Sequence, residues 1–209
     1  MKWVAGLARG PLGPIVVLLA VMWVVEALDG LALGDRLQAH GIGPRRIDGL
    51  EGVLLAPLLH STWGHLASNT VSFAALGGLA GLRGRRFWIA VTAWVWLVGG
   101  GLVWLLAGGS NHIGASGLVF GYFGALMGAA IRSRRPASLA PALVAIFLYG
   151  TMLVGLVPQD DLSWEGHLAG LVVGFVVARR LTDPPPPPPP DDEIEYPWEI
   201  DEPWRIDEE

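Results

Sequence analysis

Apolar residues in this chain gather into long runs, and the breaks between them are short and often rich in arginine. A bilayer-crossing helix needs roughly 20 mostly apolar residues. Six stretches approach that length: residues 11–30, 63–82, 87–107, 116–132, 139–157 and 164–180. The pattern predicts an all-α, polytopic membrane protein built as a bundle of six transmembrane helices. Residues 31–60 scatter Leu33, Leu37, Ile42, Ile47 and Val53 among turn residues. That segment is too apolar for a free loop and too broken to span, which predicts a helix-containing loop lying in the membrane interface.

Composition strengthens this picture. Of 209 residues, 52% are hydrophobic and 16% charged, with a mean hydropathy of +0.48, which argues against a soluble domain. Trp3, Trp63, Trp88, Trp104 and Trp164 fall near run ends, where indole rings favour the interface. There is no cysteine, so disulfide and thiolate chemistry are excluded.

The net charge of −5 averages two unlike parts. Residues 1–182 hold 13 Lys and Arg against 8 acids, whereas 183–209 hold one Arg against 11 acids. In alternating spans, Lys2 and Arg9, the Arg83–Arg86 cluster, the Arg132–Arg135 cluster and Arg179–Arg180 share one side. Positive charge marks the cytoplasmic side, so both termini are expected there; Arg36, Arg45 and Arg46 are the exception. A cleaved signal peptide is the competing reading of the N-terminus; a retained first helix is favoured. Arginine used far more than lysine suggests a bacterium, and hence the cell membrane. Residues 1–182 thus form the expected membrane domain. Residues 183–209 open on TDPPPPPPPDD and contain the near-repeat PWEIDE–PWRIDE. They read as a proline-rich, acidic, solvated tail, with docking to a cytosolic partner as the alternative. The bilayer is the implied partner, and no nucleic-acid partner is expected.

Strongly polar side chains inside a span cost on the order of 2.5–3.5 kcal/mol each and mark candidate sites. Ser116, His65, Asn69 and His167 are such residues, with His60 just ahead of the second run. Each alone has a plain reading: an intramembrane Ser or Asn hydrogen-bonds a neighbouring helix, and a histidine near a helix end sits in the interface. Their depths coincide, however. At ~1.5 Å per residue, Ser116 stands roughly 24 Å above Arg132 and Asn69 about 21 Å above Arg83. On the same rise His65 is about 27 Å above Arg83 and His167 about 18 Å above Arg179. All four lie in the outer half of a ~30 Å hydrocarbon core. That predicts a wet cavity opening outward, with a serine at its floor. Gly117, Gly121, Gly124 and Gly128 make one smooth helix face beside Ser116, and Gly166, Gly170 and Gly174 another beside His167. Such stripes let backbones approach closely, whether or not chemistry follows. His65 and Asn69, four residues apart, share a helical face. With unpaired N–H groups at a helix N-terminus they can supply the donors of an oxyanion hole.

These motifs resemble the rhomboid family of intramembrane serine proteases. HSTWGHLASN carries H-x4-H-x3-N at His60, His65 and Asn69; GASG carries G-x-S-G at Gly114, Ser116 and Gly117; EGHLAGLVVG is similar to the last-helix signature at His167 and Gly170. The resemblance implies a six-helix core with a short serine-bearing helix and a Ser116–His167 dyad lacking an acidic third member. It also implies oxyanion donors from His65, Asn69 and the Ser116 N–H, with His60 as a structural hydrogen-bonding residue. Transmembrane proteins are the implied substrates. Neither cofactor nor metal is expected, since no Cys or carboxylate sits at ligand spacing beside the histidines. Two departures stand out. Many members carry Trp-Arg in the first external loop, where this chain has Glu51-Gly52, leaving the loop's anchoring open. Many carry Tyr four residues after the serine; here it is Phe120, which keeps the ring for stacking on the histidine. The alternatives are an inactive relative that only binds membrane helices, and a small transporter.

Overall fold

The computed structural model describes residues 12–109, 111–159 and 162–183. The Lys2 and Arg9 cluster, Trp3 and the acidic tail beyond Asp183 lie outside the described residues. Six long helices account for most of the rest: α1 (Gly13–Leu33), α3 (Arg85–Leu106) and α5 (Pro136–Leu156), and α2 (Trp63–Gly81), α4 (Ser116–Ser133) and α6 (Trp164–Leu181). By length and apolarity, α1, α3 and α5 could each cross a membrane. Local chemistry sets several ends: the Thr62 side chain caps α2 by accepting the His65 N–H, as N-cap threonines do. Proline stands at the first turn of α5, where its missing N–H costs nothing. The α1 and α3 helices each include a five-residue π-helical stretch, and α5 closes in a 3-10 turn.

The arrangement is a helix surrounded by helices. Helix α4 packs against α2, α3, α5 and α6, its most extensive neighbour being α6. The core beneath the site is aromatic. Tyr122 of α4 stacks on Trp88 of α3 at 5.8 Å and meets Phe73 of α2 edge-on at 5.2 Å. Its hydroxyl shares a 2.9 Å hydrogen bond with Thr92. Trp88 therefore departs from the interfacial expectation: it is 3% exposed, because Tyr122 and Phe73 draw its ring inward. Trp63, by contrast, is exposed, and its ring lies 6.0 Å from that of Trp23.

The α4–α6 contact is backbone on backbone. A Cβ at Gly170 would stand 2.0 Å from the Gly117 carbonyl oxygen, and one at Gly174 would stand 2.0 Å from that of Gly121. A Cβ at Gly121 would in turn overlap Val95 of α3 at 2.7 Å. The glycine stripes thus face each other.

The segment between α1 and α2 holds helical turns at Leu37–His40, Gly52–Leu55 and Ala56–Leu58. Its anchoring, left open by the missing Trp-Arg pair, comes from other residues. Arg45 Nη1 donates to the Ala107 carbonyl at 2.6 Å and the Arg45 N–H to the Trp104 carbonyl at 2.8 Å. A cation on the free carbonyls ending α3 is favourable. Trp104 Nε1 returns a bond to the Arg46 carbonyl, and His40 meets Glu51 at 2.5 Å. Arg45 and Arg46, exceptions to the charge pattern, are thereby accounted for: one binds carbonyls and the other pairs with Asp48.

Candidate active site

The serine stands where a loop turns into a buried helix. Ile42 and His112 exchange both backbone hydrogen bonds, and the Gly114 N–H donates to the Ala56 carbonyl. The loop ahead of α4 is therefore strapped to the segment between α1 and α2. Gly114 has φ +108°, a conformation that favours glycine. A Cβ there would also lie 2.7 Å from His65 Cε1 and 2.8 Å from its Nε2. Two residues on, Ser116 opens α4, so its N–H is among those the helix leaves unpaired.

Ser116 Oγ lies 2.9 Å from His167 Nε2, and His167 Nδ1 lies 2.8 Å from the Gly155 carbonyl oxygen. A carbonyl only accepts, so Nδ1 carries the proton. Nε2 then presents its lone pair and accepts the Ser116 hydroxyl proton. A backbone carbonyl of α5 thus sets the histidine's tautomer and orientation. Phe120 lies face to face with the same imidazole, ring centroids 4.2 Å apart and planes 8° apart. His167 is 6% exposed.

His65 and Asn69 approach from α2. The Ser61 N–H donates to His65 Nδ1, with the Ser61 hydroxyl 3.2 Å from the same nitrogen. Nε2 of His65 is therefore the protonated nitrogen, and it sits on Gly114. Asn69 Nδ2 donates one hydrogen to the His65 carbonyl at 3.1 Å and lies 3.7 Å from the Gly114 Cβ position, with a second N–H to offer. Two side-chain donors therefore converge on the loop that delivers Ser116. His60 is fully buried and stands edge-on to the His65 ring at 5.1 Å.

Four further contributors are not among the motif residues singled out from the sequence. Gly155 acts through its carbonyl, which no side chain advertises. His112 Nε2 donates to the Gly108 carbonyl at 2.8 Å, and His112 Nδ1 accepts from the Ser163 hydroxyl at 2.6 Å. Glu165 accepts the Gly108 N–H. This clasp ties the loop ahead of α4 to the first turn of α6, and the Ser163 carbonyl accepts the His167 N–H. A histidine four residues before the serine is the one sequence clue. Beside Ser116 lies a cavity of about 50 Å³ lined by Val53, Ala56, Val95, His112, Ser163 and Gly166, among others. No group of three or more metal-ligating side chains occurs among the described residues.

Fold and site together define an all-helical membrane bundle enclosing a serine–histidine pair. A family model described as the Rhomboid domain matches residues 49–183. The chain is 38% identical over 193 residues to an uncharacterized protein of Mycobacterium tuberculosis, covering 88% of this chain and 78% of that one. It is 35% identical over 194 residues to an uncharacterized protein of Mycobacterium leprae, covering 88% and 74% respectively. The chain belongs to the rhomboid family.

Proposed function

We propose that this protein is an intramembrane serine endopeptidase that hydrolyses peptide bonds in or near transmembrane segments of other membrane proteins. The observation that carries this reading is the 2.9 Å contact from Ser116 Oγ to His167 Nε2, on an imidazole whose other nitrogen is held by a carbonyl. Ser116 attacks the scissile carbonyl while His167 Nε2 takes its proton. The imidazolium then gives that proton to the leaving amine, and water releases the acyl group by the same steps in reverse. The Gly155 carbonyl, an acceptor for Nδ1–H throughout, takes the orienting part usually filled by an acid. His65 Nε2–H, the free Asn69 N–H and the Ser116 N–H face the developing oxyanion.

In this reading α1 to α6 all cross the membrane, residues 1–182 form the catalytic domain and 183–209 a cytoplasmic tail. Both termini are cytoplasmic, and the site opens to the extracytoplasmic side of the cell membrane. Helices α2, α4 and α6 are the less apolar three because they carry the polar residues of the site, and of these α4 is the most deeply buried. No cofactor or metal has a step in this mechanism. A substrate helix must unwind before its carbonyl reaches Ser116, so small or helix-breaking residues near the outer face favour cleavage.

The test is labelling of the detergent-solubilised protein by a fluorophosphonate, for wild type, Ser116→Ala and His167→Ala. Labelling of wild type alone, with all three folded, is the expected result. A folded wild type that stays unlabelled beside a labelled active relative would identify a helix-binding protein without catalysis.

A further inference from the structure

At the end of the bundle opposite the site, helices α2, α4 and α6 finish and α5 begins around a polar hollow of about 310 Å³. Arg83, Arg135, Ser133, Ser138 and Thr182 line it, with Asp183 also on its wall. Arg83 reaches across three helix ends. Its Nη1 donates to Ser138 Oγ at 2.5 Å and its Nη2 to Thr182 Oγ1 at 3.2 Å, while its plane covers the Phe87 ring at 5.0 Å. Both acceptors are neutral hydroxyls. The Arg83 Nε–H is buried and has no acceptor among the described residues. Ser133 Oγ accepts the Arg135 N–H at 3.2 Å and lies 3.0 Å from Ser138 Oγ.

This end is otherwise strongly cationic. Arg85, Arg86, Arg132, Arg134, Arg179 and Arg180 belong to the same helix ends. Among the described residues the only ion pairs are His40–Glu51 and Arg46–Asp48, both in the segment between α1 and α2. A half-buried guanidinium that spends its donors on hydroxyls and leaves one N–H unmet is expensive unless a further acceptor arrives. A phosphate group answers the uncompensated positive charge. Its oxygens match the guanidinium fork, accept from hydroxyls, and gain from the first turn of α5, whose Ala137 and Ser138 also line the hollow.

We propose that the hollow framed by Arg83, Arg135, Ser133, Ser138 and Thr182 binds a phosphate group. The chemistry is shared by an anionic phospholipid headgroup and a soluble phosphate. Basic pockets between helices at a membrane face take such headgroups. The chain's own acidic tail is a poorer candidate. Seven prolines, Pro184–Pro190, separate its further acids from Asp183.

The full chain in an uncharged detergent would be titrated with phosphatidylglycerol, with diacylglycerol of the same chains, and with inorganic phosphate. Unfolding temperature and retained ligand in native mass spectrometry are the readouts. Phosphatidylglycerol should raise the unfolding temperature saturably, whereas diacylglycerol should not. Arg135→Gln, an exposed residue outside the three-helix tie, should weaken binding about tenfold or more, as losing a hydrogen bond to a charged group does. Arg85→Gln removes the same charge outside the hollow and should cost about fivefold or less. Arg83→Lys keeps the charge but not the fork, and should weaken binding while the protein stays folded. Stabilisation by inorganic phosphate as well assigns the site to soluble phosphates; stabilisation by the lipid alone assigns it to the headgroup. Equal losses in Arg135→Gln and Arg85→Gln, or no binding of either phosphate source, would overturn the proposal.

Discussion

Helices α4 and α5 are separated only by Arg134 and Arg135, and they are opposites. In α4, 13 of 18 residues are buried, many of them glycine or alanine. In α5, only 11% of the most apolar window is buried, and Phe147 is 87% exposed. In a soluble protein the greasier helix would be inside. Lipid tails are as apolar as leucine, so hydrophobicity gives a helix no reason to leave them. Small residues that allow close backbone contact, and polar groups that must be kept from lipid, go inside instead. This is why α1, α3 and α5 are apolar enough to cross a membrane by composition, while α2, α4 and α6 hold Ser116, His167, His65 and Asn69.

The contrast can be broken at several points. The largest effect is chemical: Ser116→Ala should lower peptide-bond hydrolysis by roughly 10⁴-fold or more, with the unfolding temperature nearly unchanged. Gly174→Val, on the inner face of α6, puts a branched side chain where a carbonyl oxygen stands 2.0 Å from the Cβ position. It should destabilise by about 3 kcal/mol or more, read by thermal unfolding in detergent. Phe147→Leu on the lipid face of α5 is its partner in the comparison and should change stability by less than ~0.5 kcal/mol. Equal costs for these two would mean that the inner and outer faces are wrongly assigned.

Smaller changes sharpen the picture of the site. Gly114→Ala combines a left-handed φ with overlap on His65 and should cost about 1–2 kcal/mol in stability. Its activity should fall further than that, because the displaced groups are His65 Nε2 and the loop delivering Ser116. Ser163→Ala opens the clasp to His112 and should cost about 1 kcal/mol. The accompanying drop in kcat with KM unchanged would separate positioning of α6 from substrate binding.

Much of this was legible along the chain. Helices α2, α4 and α6 begin at Trp63, Ser116 and Trp164, where the runs predict, because polar or capping residues sit at those starts. The glycine stripes could be read as faces, since i, i+4, i+7 spacing follows from the helix alone. Trp88 could not: the same residue suits an interface or a core, and only Tyr122 and Phe73 decide which. The anchoring of the segment between α1 and α2 moved from a familiar pair to Arg45 and Trp104, residues that find carbonyls about 60 positions away.

The sequence by itself determined the membrane as solvent, the helix spans and the identity of the polar residues to be kept from lipid. Each of these depends on composition and on a period of 3.6. Tertiary structure alone decided the tautomer of His167, through a Gly155 carbonyl with no side chain to announce it. It also decided the His112–Ser163 clasp, and it brought Arg83 to Ser138 and Thr182 at the far end. Such contacts arise only when helices dock, because a hydrogen bond depends on distance in space and is indifferent to distance along the chain.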